Sequence, residues 1–163
     1  MELHPAAPSA TTLLHLDEPC ARVLLGNGSD DDRIDGWYLN SGATNHMTGR
    51  REFFSDLDTD VGGSIRFGDS SAVEIKGVGS VIFTAKSGEH RMLTRVYYIP
   101  ALQNSIISLG QLDESGSCVV IDSGILCIWD HHRQLLARVV RGKNRLYILH
   151  VGVAQPLCLE AQF

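Results

Sequence analysis

The stretch Trp37–Met47 reads Trp-Tyr-Leu-Asn-Ser-Gly-Ala-Thr-Asn-His-Met. A short apolar run there delivers one polar residue, Asn40, into the small residues Ser41, Gly42, Ala43 and Thr44. Hydrolysis by a carboxylate pair demands this layout: two loops each present one carboxylate, and the pair shares a proton while holding a water. Small residues must follow, because only they let two such loops approach closely. The steric demand is met and the chemical one is not, since a neutral amide cannot take the water's proton at ordinary pH. Without a carboxylate, the stretch by itself reads first as a plain turn between strands.

Other residues with chemical capacity are weaker candidates. Asp122-Ser123-Gly124 offers a second acidic loop, but bulky Ile125 and Leu126 follow it, so a hairpin turn is expected. One chain carrying both loops of a two-lobed enzyme would also need roughly twice this length. His46 has the chemistry of a general base or metal ligand, and as a single His in a polar loop it is expected to be a hydrogen-bonding loop residue. Cys127, Asp130, His131 and His132 are ligand types, yet neighbours on a strand point to opposite faces, so a solvated strand end is expected. Gly77-Val78-Gly79 is too short for a phosphate loop and reads as a place where backbones pack closely. No Ser-His-Asp order, phosphate-loop motif or HExxH motif is present, and neither a cofactor nor a metal is expected.

The elements that must position these residues are strands. Short alternating runs at 64–68, 72–77, 80–85 and 91–99 are separated by turn residues, including Lys86-Ser87-Gly88-Glu89-His90. Residues 104–116 are the best helix candidate, beginning between Asn104 and Ile107 and stopping at Gly116. Four more strand-like runs follow, from Ser117 to Val151. The pattern predicts an all-β fold, a small barrel with one short helix. Residues 1–35 mix Pro, Ala, Thr and Gly with Asp30-Asp31-Asp32 and read as a disordered leader, with a short strand conceivable over 21–25.

The 163 residues suffice for one domain with a core, and 44% hydrophobic with 20% charged residues is ordinary for a globular chain. A net charge of −5 without a basic stripe argues against binding nucleic acid. No apolar run approaches the ~18 residues of a membrane span, and no secretory signal is evident, so an intracellular, cytoplasmic setting is expected. The four cysteines, Cys20, Cys118, Cys127 and Cys158, are then expected to be free thiols, with Cys118 and Cys127 able to face each other across a hairpin.

Three ordered blocks carry a family resemblance: "WYLNSGATNHMTG", "FGDSSAVEIKGVGSV" and "VYYIPALQNSIISLGQLDESG". From Trp37 to Gly116 the chain resembles the protease region of copia-type retrotransposon Pol polyproteins, a retropepsin-like β-barrel. The run from Gly124 to Val151 resembles the start of the segment that precedes integrase in these polyproteins. The resemblance implies a polyprotein fragment with a leader over 1–35, a protease-like barrel over 36–116 and a β-hairpin extension over 117–163.

The resemblance also implies roles. The catalytic Asp position falls on Asn40, with Ser41 and Gly42 completing the loop. Gly68, Asp69, Gly77 and Gly79 fall in the flap region, and Ile107 and Gly110 in the element that brace the loop. It further implies a homodimer acting on a peptide or polyprotein. A dimer of this chain would present two amides, so an inactive pseudoenzyme is expected. The alternative is an aspartic endopeptidase acting through an Asp-bearing partner or a deamidated Asn40.

Overall fold

A computed structural model describes residues 12–18, 36–67, 70–85 and 87–154. Its strands are β1 (Thr12–Glu18), β2 (Gly36–Asn40), β3 (His46–Thr48), β4 (Phe54–Asp58), β5 (Val61–Phe67), β6 (Ala72–Ile75) and β7 (Gly77–Thr84). They continue with β8 (His90–Tyr98), β9 (Ser105–Ser108), β10 (Cys118–Asp122), β11 (Ile125–Trp129), β12 (Leu135–Val140), β13 (Ile148–His150) and β14 (Gly152–Val153). The helix α1 spans Leu109–Glu114. The chain is all-β with one short helix, as the alternation of its sequence predicts.

The main sheet runs β13-β2-β9-β3-β8-β7-β14, with β4 also paired to β7. Its two outer strands, β13 and β14, are separated in the chain by Val151 alone. One extended segment therefore bonds to β2 at one end and to β7 at the other, and the sheet returns on itself. Ile148, Leu149 and His150 pair with Tyr38, Trp37 and Gly36, and then Gly152 and Val153 pair with Thr84 and Phe83. Closure uses a strand from the region read as an extension, so residues 37–116 do not complete the barrel by themselves. A smaller sheet, β1-β5-β6, lies apart from it, as does the ribbon β10-β11-β12.

Two apolar clusters divide the core. Trp37, Leu39, Phe53, Val81, Phe83 and Ile107 belong to one, together with Leu126, Ile128 and Val139 of the ribbon. Tyr38, Ala43, Met47 and Ile106 belong to the other, with Ile65, Phe67 and Ile75 of the smaller sheet. Successive residues of β2 and β9 thus enter different clusters. Burial on both faces explains why these parallel strands read as continuous apolar runs instead of alternating ones.

The strand β7 shows strict alternation, with Gly77, Gly79, Val81 and Phe83 inward. A Cβ on Gly77 would stand 2.9 Å from the Asp58 carbonyl oxygen, and one on Gly79 would overlap that of Asp56. The glycines let β4 cross β7 at backbone distance, as the spacing predicts. The hairpin at Asp122-Ser123-Gly124 also forms as expected. Ser123 (φ 52°) and Gly124 (φ 79°) are both left-handed, the geometry of a two-residue type I′ turn.

Three expectations need correction. The helix does not begin between Asn104 and Ile107, because Ser105–Ser108 is a strand and α1 starts at Leu109. Ile106 and Ile107 are β-branched and buried on both sides, which favours a central strand over a helical turn. Ser108 then caps α1, its Oγ accepting the Gln111 N–H at 3.1 Å, and Gly116 (φ 100°) ends the turn as expected. Within the leader, Thr12–Glu18 is a strand, because the parallel edge of β5 offers seven paired positions from Val61 to Phe67. The rest of the leader, including 21–25, lies outside the described residues. Cys118 and Cys127 do not stand opposite each other: Cys118 pairs with Trp129 and Cys127 with Val120, and both are free thiols. Cys20 and Cys158 lie outside the described residues.

Candidate functional site

Asn40 is the last residue of β2, where the apolar strand gives way to the loop 41–45 that leads into β3. β9 is threaded between the two arms of this loop, parallel to β2 and antiparallel to β3. Leu39 stands opposite Ile107, and Asn40 opposite Ser108. Asn40 is half-buried, Ser41 exposed, Gly42 half-buried and Ala43 buried. The Asn40 Oδ1 accepts the Gly42 N–H at 2.7 Å, so the amide closes its own turn.

A buried network pins the far side of the loop. Ser108 Oγ donates to the Ala43 carbonyl at 2.7 Å, and the Ser108 N–H donates to His46 Nδ1 at 2.9 Å. The His46 N–H donates to Gln111 Oε1 at 2.9 Å, and Gln111 Nε2 donates to the carbonyls of Arg95 (3.2 Å) and Thr94 (3.4 Å). Beneath it, the hydroxyls of Thr48 and Ser105 share a buried hydrogen bond at 2.8 Å. Loop, brace and helix are one hydrogen-bonded unit.

His46 departs from expectation. It is a strand residue only 2% exposed, not a polar-loop residue. Burial, with the nearby Arg95 charge second, lowers its pKa to about 3. The ring is therefore neutral at ordinary pH, with Nδ1 an acceptor and the proton on Nε2. Polar neighbours such as Thr44 and Asn45 suggest exposure, whereas the burying partners lie over sixty residues away, at Ser108 and Gln111. Those two residues had no role in the sequence reading, although both stand in the Ile106–Leu112 block of the third motif.

A cavity of about 220 Å³ adjoins Asn40. Tyr38, Leu39, Asn40, Ser41, Leu109 and Ile121 line it together with Arg145, Leu146 and Tyr147 of the later segment. The Leu39 N–H donates to the Tyr147 carbonyl at 2.9 Å, fixing the later segment against the loop-bearing strand. No carboxylate, histidine or cysteine is in that lining. Its ionisable groups are two phenols and a guanidinium.

The remaining candidates divide. Gly77 and Gly79 serve the crossing of β4, and Ile107 is 3% exposed in the core. Gly110 is exposed in the first turn of α1, where a Cβ would meet nothing closer than Ser108 Oγ at 3.8 Å. Gly68 and Asp69 lie outside the described residues. The adjoining β5 and β6 bring Phe67, Ile65 and Ile75 into the cluster that contains the loop residue Ala43. Asp130 forms a turn, accepting the N–H groups of His132 (2.8 Å) and Gln134 (2.9 Å). Among the described residues, no three His, Cys, Asp or Glu side chains gather to hold a metal.

Residues 37–117 match the family model for the Pol polyprotein, beta-barrel domain. That stretch is similar to the beta-barrel domain of Pol polyproteins. The match begins at Trp37, the second residue of the loop-bearing strand, and runs through the whole network of His46, Ser108 and Gln111. It ends before β13 and β14, the strands that close the barrel. No curated protein and no solved structure matches the chain.

Proposed function

We propose that this Pol-like region is an aspartic-protease-like module of a copia-type retrotransposon that has lost its chemistry and kept its loop. The observation that carries the reading is Asn40. It ends an apolar strand before Ser-Gly-Ala, its amide oxygen is engaged by the Gly42 N–H, and the adjoining cavity has no acid in its lining. A working pair keeps one proton between two carboxylates, so that one member acts as acid while the other activates water. Two Asn40 side chains brought together in a homodimer hold no such proton and accept none.

Asn and Asp are nearly isosteric, and an Asp at 40 would accept the same Gly42 N–H. The substitution therefore silences the loop without demanding a new backbone, which leaves dimerisation or peptide binding as the retained role in an intracellular polyprotein. The test sets the wild-type chain beside Asn40→Asp, following peptide cleavage and sedimentation in parallel. Both should sediment alike, and only the variant should gain cleavage that pepstatin inhibits. Equal cleavage by both proteins would sink the reading, and would favour an enzyme that acts through an Asp-bearing partner or a deamidated Asn40.

A further inference from the structure

A second cavity, of about 200 Å³, lies among barrel and ribbon residues, with His46 in its lining. Its walls are mainly apolar and include Phe83, Leu93, Ile107, Ile128, Leu136 and Leu149, drawn from β7, β8, β9, β11, β12 and β13. A dry apolar cavity of about 150 Å³ is already large enough to hold a benzene-sized guest. Barrel mouths are also a recurrent place for small-molecule sites.

Two polar features of the lining point to the kind of guest. His46 is 2% exposed, and its Nδ1 is taken by the Ser108 N–H. Nε2–H is the ring's remaining polar group, and His46 belongs to the cavity's lining. A guest acceptor seated in the cavity would add a hydrogen bond from this donor. Arg95 also lines the cavity, close enough to act on His46 by its charge, and its guanidinium has no ion pair among the described residues. The other cation of the lining, Arg91, is by contrast already neutralised by Glu89 at 3.3 Å and Asp130 at 3.7 Å.

We propose that this barrel mouth binds a small carboxylate whose apolar body has about six to eight carbons. The carboxylate accepts from His46 Nε2–H and faces the Arg95 guanidinium, and the body lies among Leu93, Ile107, Ile128 and Leu149. The site does not share the Asn40 cavity, and it stands whether or not that loop does chemistry.

The test titrates hexanoate into the full chain and follows backbone amide resonances by NMR, with hexanol and hexylamine as comparators of equal chain length. Saturable shifts should centre on His46, Arg95, Gln111 and Leu149, with a dissociation constant of roughly 1 mM for so small a guest. Hexylamine should bind at least about tenfold more weakly. Arg95→Asn suits the test because Arg95 is exposed at φ 55°, a backbone conformation that Asn tolerates, so the fold should persist. This variant should weaken hexanoate about tenfold while leaving hexanol unchanged. His46→Asn, which keeps an oxygen near the Nδ1 position for Ser108, should weaken hexanoate at least as much. Failure of hexanoate to saturate the wild type at tens of millimolar would overturn the proposal. Hexylamine binding as tightly as hexanoate, or an unchanged affinity in Arg95→Asn, would overturn it too.

Discussion

Lowering the pH should unfasten this protein at His46. The ring is held neutral in the fold, with its pKa lowered to about 3 by burial first and Arg95 second. The unfolded chain regains the ordinary value of about 6.5. As pH falls below that value, the unfolded state takes up a proton that the folded state refuses. The contribution of His46 is therefore complete above about pH 6.5 and is lost as pH falls toward about 3, at roughly 1.4 kcal/mol per unit. At pH 4 the loss reaches about 3 kcal/mol, a large part of a typical domain stability of about 5–15 kcal/mol. Protonation would also place a second donor against the Ser108 N–H and break the hydrogen bond that joins β3 to β9. Urea denaturation at pH 7 and pH 4 measures the effect, with His46→Asn as the reference that cannot titrate. Glu52 and Asp130, whose pKa values are lowered mainly by backbone hydrogen bonds, add losses of the same sign in both proteins, so the difference isolates His46. If wild type and His46→Asn lose equal stability between these pH values, the reasoning is refuted.

Other substitutions should separate architecture from site. Gly79→Ala should cost about 3 kcal/mol, since its Cβ overlaps the Asp56 carbonyl, whereas Gly110→Ala should be neutral or stabilising by up to about 1 kcal/mol in thermal unfolding. Ser108→Ala removes the cap of α1 and leaves the buried Ala43 carbonyl without its donor, so denaturant titration should show a loss of about 2–3 kcal/mol. Ending the chain after Tyr147 removes β13 and β14 and exposes the edges of β2 and β7, so size-exclusion chromatography should show aggregation or swapping. A truncated protein that stays monomeric with an unchanged melting temperature would contradict closure by these strands.

Local chemistry was legible in the sequence and distant pairing was not. Ser123-Gly124 announces its turn because left-handed positions favour such residues, and Gly77 and Gly79 announce a close crossing because nothing larger fits. The four strand-like runs after Ser117 were readable as strands. That the last of them closes the barrel was not, because its partners near Trp37 and Phe83 lie far away in the chain. Ile106-Ile107 beside Leu109 and Leu112 satisfies a helical period as well as a strand's, and burial from both sides decides for the strand. The loop after Asn40 was legible from its small residues, although Asn40 itself is the last residue of strand β2 and not a loop residue. The bonds that hold the loop, from His46 to Ser108 and Gln111, required the fold to bring two sequence blocks together.

The central claim, that the Asn40 loop does no acid-protease chemistry, is tested most directly by one cleavage measurement on freshly purified wild-type protein. The protein should be mass-verified as Asn at position 40 and incubated with an unstructured substrate at about pH 5.5, where the cost at His46 remains modest. The account predicts no cleavage above the buffer control, with or without pepstatin. Pepstatin-sensitive cleavage by that verified protein would contradict it.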